Sequence, residues 1–132
     1  MARAPHFLRP LQNVATDGLC LRNQRTGQVL ASSLLPALDS ATRKTGLLKH
    51  TSLAEGEAMV IAPSNAVHTW FMRFDLDLVF VRRDGQVVKT RACVKPWRMS
   101  GALRAFAVIE MRAGTLAERD TLPGDILEVV PA

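Results

Sequence analysis

Apolar residues in this chain fall in short runs bounded by turn residues, the pattern of β-strands rather than of long helices. Gly18–Asn23 and Gln28–Ala31 flank the turn residues Asn23–Gly27 and predict a hairpin. Ala58–Ala62 is a buried-strand run closed by Pro63-Ser64-Asn65, preceded by a polar loop over Ser52–Gly56. Asp84-Gly85 separates Leu76–Arg82 from Val87–Val94. That dipeptide predicts a two-residue hairpin turn with positive φ at both central positions. Lys95–Gly101 reads as a loop, with Pro96 ending the strand and Trp97 packing over one end of the sheet. Ala105–Met111 and Ile126–Val130 are two further strands, the second entered through the turn Pro123-Gly124-Asp125.

His68–Val81 is the most informative stretch. It is apolar but interrupted by Arg73, Asp75 and Asp77, and a buried charge needs a partner. As one strand it would place His68 and each alternate residue through Phe80 on one face, all apolar except the histidine. The segment is long for a single strand. Two strands are predicted instead, Val67–Met72 and Leu76–Arg82, joined by a bend at Phe74-Asp75. In Val87–Val94, Val88, Thr90, Ala92 and Val94 share one face, while Lys89, Arg91 and Cys93 share the other. This is the alternation of a half-buried strand with a basic outer face.

Helical signals are few. Pro36–His50 is the main candidate, capped by Asp39 or Ser40, with Arg43 and Lys44 in its last turn and Gly46 just past its end. Leu47-Leu48 would fold back onto the core, and His50 would lie on the surface. A second, short helix is predicted from Thr115 to about Leu122, where Thr115 and Glu118 have the spacing of a capping box. The tally is an α+β domain, mostly β: an antiparallel sheet or partly closed barrel with one main and one short helix.

Composition narrows the class. A chain of 132 residues fits one domain. Arg3, Pro5, Arg9 and Pro10 predict a loose tail over residues 1–12, leaving 13–132 as the globular unit. Cys20, between leucines, reads as core, and two cysteines suit a reducing compartment. No apolar run approaches a membrane span, and the N-terminus lacks the apolar centre of a secretory signal. A cytoplasmic protein is expected. Net charge is +5, concentrated between Arg82 and Arg104, which suits a solvated basic face or a phosphate-bearing partner.

Several of these elements resemble one family. The Arg43…Gly46-Leu47-Leu48 element precedes His68-Thr69-Trp70-Phe71-Met72-Arg73-Phe74-Asp75-Leu76-Asp77. Arg83-Asp84-Gly85, Pro96-Trp97-Arg98, Val108-Ile109-Glu110-Met111-Arg112-Ala113-Gly114 and Gly124-Asp125 follow in order. In order and spacing the chain resembles the bacterial and archaeal family called domain of unknown function 192, over about residues 15–130. The resemblance implies a compact β-rich domain and no particular reaction. Two positions depart from the pattern: Asp75 stands where the family has proline, and Leu48 where it has methionine.

Candidate chemistry gathers in the same block. His68 is a potential acid–base group or ligand donor, with Thr69 and Asp77 able to orient it; the structural alternatives are that His68 caps a strand end and that Asp77 accepts from backbone donors of the bend. Met72 and Trp97 could wall a pocket. Glu110, a carboxylate in an apolar strand, suggests an ion pair with Arg73 or Arg98, or an acceptor for loop amides. A metal centre of His68, Asp77 and Glu110 is conceivable, but no closely spaced ligand motif supports it, and no metal or cofactor is expected. Cys93 lacks an identifiable base and reads as structural. Three functions follow, in order of preference. The first is a binding domain for a small ligand or protein segment near His68, Thr69, Asp77 and Trp97. The second is a small hydrolase-like enzyme using His68 and Asp77. The third is a nucleic-acid binder using Lys89, Arg91, Lys95 and Arg98.

Overall fold

A computed structural model describes residues 6–12, 18–46 and 50–132. Its first sheet is antiparallel, with β1 (Leu19–Asn23) between β10 (Leu127–Pro131) and β2 (Val29–Ala31). The second has five strands in the order β3 (Ser33–Ala37), β4 (Glu57–Ile61), β9 (Ala107–Arg112), β6 (Leu76–Val81) and β7 (Val87–Val94). A small third sheet pairs β5 (Ala66–His68) with β8 (Met99–Gly101). Among the described residues the α-helices are α1 (Ser40–Thr45) and α2 (Thr115–Glu118), and a 3-10 turn spans Arg9–Leu11. The domain is α+β and mostly β. Among the described residues the sheets do not close into a complete barrel.

Strand alternation explains the two-sided core. Val60, Val79, Ile109 and Met111 face the first sheet and pack on Leu21, Leu30 and Leu127. Their neighbours Met59, Ile61, Leu78, Phe80 and Val108 form a second cluster on the opposite face. Every residue of β6 is buried as a result, and a fully buried Phe or Leu contributes roughly 1.5–3 kcal/mol.

The long helix predicted from Pro36 is replaced by a strand and a short helix. Pro36 and Ala37 belong to β3, which pairs in parallel with β4, so the sheet is mixed. Proline is tolerated there because β3 is an edge strand. The helix keeps the predicted signals: the Asp39 carboxylate accepts the Thr42 N–H at 2.8 Å, and Gly46 turns the chain with φ 48°. Leu47 and Leu48 lie outside the described residues, as do residues 1–5 of the predicted tail; its described part, residues 6–12, holds a 3-10 turn over Arg9–Leu11 and buries Leu8 and Leu11 in the core. His50 is half-buried rather than on the surface.

Three other local expectations change. The strand predicted over Val67–Met72 ends at His68, because Thr69 onward is bound to the 95–98 segment. The segment expected as a loop contains β8, so the chain pairs there too. At Asp84-Gly85 only the glycine has positive φ, 92°. The turn runs over three residues, with the Gly85 N–H donating to the Arg82 carbonyl and the Arg82 N–H to the Gln86 carbonyl.

The short helix α2 is not capped by Thr115, whose hydroxyl donates to the Arg112 carbonyl instead. The β7 alternation breaks where the pairing with β6 shifts register, leaving Ala92 and Cys93 exposed. Asp125, at the entry to β10, accepts from the Arg25 guanidinium, Asn23 Nδ2 and the Leu122 N–H. These partners, Arg25 first, hold its carboxyl at about 2 against the opposing effect of burial.

Gly85 is fixed by space as well as by φ. A Cβ there would collide with the Leu127 carbonyl oxygen, in the place where the Leu127 N–H donates to the Gly85 carbonyl. Gly85→Ala should therefore cost at least about 2 kcal/mol, read as a lower urea midpoint with an unchanged slope.

Candidate functional site

Two carboxylates lie on neighbouring central strands, and the sheet separates them. Asp77 of β6 opposes Met111, whereas Glu110 of β9 opposes Leu78. Cross-strand partners share a face, so Asp77 belongs to the side of Val79 and Val81. Glu110 belongs to the side of Leu78 and Val108.

Asp77 is fully buried and fully used. Oδ1 accepts the Cys93 N–H at 2.8 Å, and Oδ2 accepts those of Gly114 at 3.1 Å and Leu116 at 2.8 Å. It thus secures the Cys93 kink of β7, where φ is 52°, and caps the first turn of α2 from another strand. Its acceptors are committed to backbone, and it is not presented beside His68. The His68–Asp77 acid–base pair is not assembled, and the His68–Asp77–Glu110 trio is divided by the sheet. Among the described residues no three His, Cys, Asp or Glu side chains gather as metal ligands would.

Thr69 is also a fastener. Its hydroxyl donates to the Lys95 carbonyl at 2.7 Å and accepts the Arg98 N–H at 2.9 Å. Its backbone N–H donates to the Arg98 carbonyl, and its carbonyl accepts the Trp97 N–H. Trp97 itself is 58% exposed and meets the Phe71 ring at 4.7 Å, so it does not cover the sheet as expected.

Glu110 is the opposite case. It is 6% exposed, yet among the described residues no hydrogen bond or ion pair reaches its carboxylate. The expected partners Arg73 and Arg98 do not supply one. Burial alone pushes its pKa up to about 7. The carboxyl lines a cavity of about 420 Å³ together with His68, Met72, Ile61, Arg43 and Lys44. That volume lies in the usual range for small-molecule pockets. Arg43 is held at the cavity by donating to the Leu38 carbonyl at 3.1 Å. His68 stacks on Trp70 with ring centroids 4.7 Å apart.

The cavity joins four parts of the chain: α1, the end of β4 with Pro63 and Ser64, the β5–Met72 segment, and central strand β9. α1, the β5–Met72 segment and β9 each carry one of the motifs on which the family resemblance rests. Of the predicted site residues, His68, Met72 and Glu110 meet here; Thr69, Asp77 and Trp97 do not line the cavity. Arg43 and Lys44 were legible as helix-end cations and not as site residues.

A larger depression of about 740 Å³ adjoins this cavity at Pro63 and Ser64 and is lined further by Arg82, Arg83, Asp84, Arg104 and Phe106. Its charges are partly matched: Arg82 pairs with Asp84 at 2.9 Å, and Arg83 lies over the Phe106 ring. It holds no buried unpartnered group comparable to Glu110. The predicted basic face is partly committed too. Lys89 donates to the Gly101 carbonyl, Arg91 to that of Met99, and Lys95 stands 3.9 Å from Asp75. Arg98 donates only locally, to the Pro96 and Trp97 carbonyls.

The model of the DUF192 family, described as an uncharacterised ACR, matches residues 21–129. No curated protein matches the chain. A solved protein of unknown function from Novosphingobium aromaticivorans is 25% identical, with a TM-score of 0.72 over 83% of this chain and 82% of its own. A candidate transcription regulator from Sinorhizobium meliloti is 21% identical, with a TM-score of 0.73 over 84% of this chain and 91% of its own. Among the described residues no helix is long and apolar enough to cross a membrane.

The two carboxylates give opposite predictions. Asp77→Ala should cost about 3 kcal/mol in urea, since three backbone donors lose a charged acceptor. Amide exchange at Gly114 and Leu116 should accelerate. For Glu110 the folded pKa lies above the usual carboxyl value of 4.5. The folded state therefore holds its proton more tightly, and stability falls as pH rises from about 4.5 to 7. The shift corresponds to roughly 3 kcal/mol. Glu110→Gln should remove that pH-dependent loss, gaining stability over wild type at pH 8 relative to pH 4. Parallel stability–pH curves for the two proteins would contradict it.

Proposed function

The chain belongs to the domain of unknown function 192 family, and we propose that it is a small-ligand-binding domain whose site is the Glu110 cavity. The observation that carries this reading is the Glu110 carboxyl, buried at the cavity without a partner among the described residues. An unpaired buried acid costs stability, and a ligand that satisfies it recovers that cost on binding. The binding role assigned to the His68 region is kept, but its centre moves from Thr69, Asp77 and Trp97 to Glu110, His68 and Met72.

The charge pattern of the cavity suggests the ligand class. Glu110 supplies an acidic group, Ile61 and Met72 supply apolar wall, and Arg43 and Lys44 supply cations. A small zwitterion with an apolar body, of the α-amino acid type, complements all three. Its ammonium would meet Glu110 and its carboxylate the cations of α1.

Leucine, isoamylamine and isocaproate separate these contributions, because the last two each lack one charged end. Leucine should raise the melting temperature of the wild-type protein and give a calorimetric binding isotherm. Each half-ligand should bind about tenfold or more weakly, the loss of one charge-assisted contact. Glu110→Gln should abolish the preference for leucine over isocaproate, and Lys44→Gln should weaken the preference over isoamylamine. If wild type and Glu110→Gln respond identically to all three, or none binds, the assignment fails.

A further inference from the structure

Four large apolar side chains remain in solvent around one corner of the fold: Phe71 at 68%, Met99 at 66%, Trp97 at 58% and Trp70 at 41% exposure. They form one patch. Thr69 fastens the 69–72 turn to the 95–98 turn through its hydroxyl and backbone. Phe71 then meets Trp97, Trp70 stacks on His68, and Met99 faces His68 across the β5–β8 pair.

The backbone holds two of these rings outward at a cost. Phe71 has φ 66° and Trp97 has φ 67°, a left-handed conformation that bulky residues rarely adopt. Core burial does not repay it, because both rings are exposed. None of the four residues lines the Glu110 cavity or the larger arginine-lined depression. Trp70, Phe71 and Trp97 are displayed from turns and Met99 from the start of β8. Arg73, Lys95 and Arg98 belong to the same two turns and are exposed, and Lys95 stands 3.9 Å from Asp75.

We propose that the 69–73 and 95–99 turns dock this protein peripherally onto an anionic lipid surface. Aromatic and thioether tips enter the headgroup–acyl boundary, and the collar of Arg73, Lys95 and Arg98 meets lipid phosphates. Indole rings favour that boundary. A second copy of the chain is the poorer occupant, because the patch would bring like charges together. A single-stranded nucleic acid is poorer as well. It needs free ring faces and a basic track, yet Trp70 is stacked on His68, Phe71 packs on Trp97, and Lys89 and Arg91 are held by β8 carbonyls.

The test is co-sedimentation of the full chain with vesicles of phosphatidylcholine alone or mixed with phosphatidylglycerol, at low and raised salt, with tryptophan emission recorded. Binding to the mixed vesicles, a blue shift from Trp70 and Trp97, and release by salt are expected. Phe71→Asn with Trp97→Asn should cut vesicle affinity at least about tenfold while tolerating the left-handed backbone. Arg73→Glu with Lys95→Glu should cut it at least about tenfold and flatten the salt dependence. Melting temperatures near wild type would show that both variants fold; should the asparagine pair unfold, the charge-reversal pair and the wild-type emission shift decide. The proposal is overturned by absence of sedimentation at low salt, or by binding that survives both variants. It is also overturned if the patch variants instead change oligomeric state or affinity for a single-stranded oligonucleotide. No added ligand is needed, so this result is independent of the Glu110 cavity.

Discussion

The three central strands of the five-stranded sheet, β4, β9 and β6, are buried on both faces, and that constraint places the other elements. A sheet with two apolar faces needs a cover on each. β1, β2 and β10 cover one face, and Val67 of β5 with Leu53, Met72 and Phe74 packs over the other. The connections must then cross the sheet edges and be secured where they land. Asp77 does this for β7 and α2, Thr69 for the 69–72 and 95–98 turns, and Asp125 for the β1–β2 turn and β10. Each is a polar side chain with several backbone or side-chain partners, which is how buried polar groups are tolerated.

Alternation along the central strands was legible because it is local. Leu76, Leu78 and Phe80 fall on one face in the sequence pattern and lie in one cluster in the structure. The failures were non-local. β3 was hidden because Pro36 suggests a helix start, and its pairing partner is on β4, beyond a helix and a loop. The Thr115…Glu118 spacing is a genuine capping pattern, but Asp77 reaches the α2 donors first from another strand. The Asp84-Gly85 dipeptide fixes a hairpin, whereas its turn type depends on how Gly85 meets Leu127.

The site was legible in part for the same reason. His68, Met72 and Glu110 each stand out as polar or soft residues inside apolar runs. Their convergence depends on β9 lying between β4 and β6, which no short motif encodes. Parity within a single strand likewise cannot say that Asp77 and Glu110 face opposite ways, because they are on different strands. Register decides it: Asp77 opposes Met111, and Leu78 opposes Glu110.

That register creates a contrast that packing alone does not explain. Two buried carboxylates lie on adjacent strands of one sheet. Asp77 has three donors, and Glu110 has none among the described residues. A leucine-sized apolar residue at Glu110 would match its neighbours Met59 and Leu78 across the strands and would avoid the burial penalty that raises its pKa. Folding therefore gives a reason for Asp77 and none for Glu110. The natural place to look for its purpose is the cavity it shares with Arg43, His68 and Met72, where stability is given up and an acid is left available.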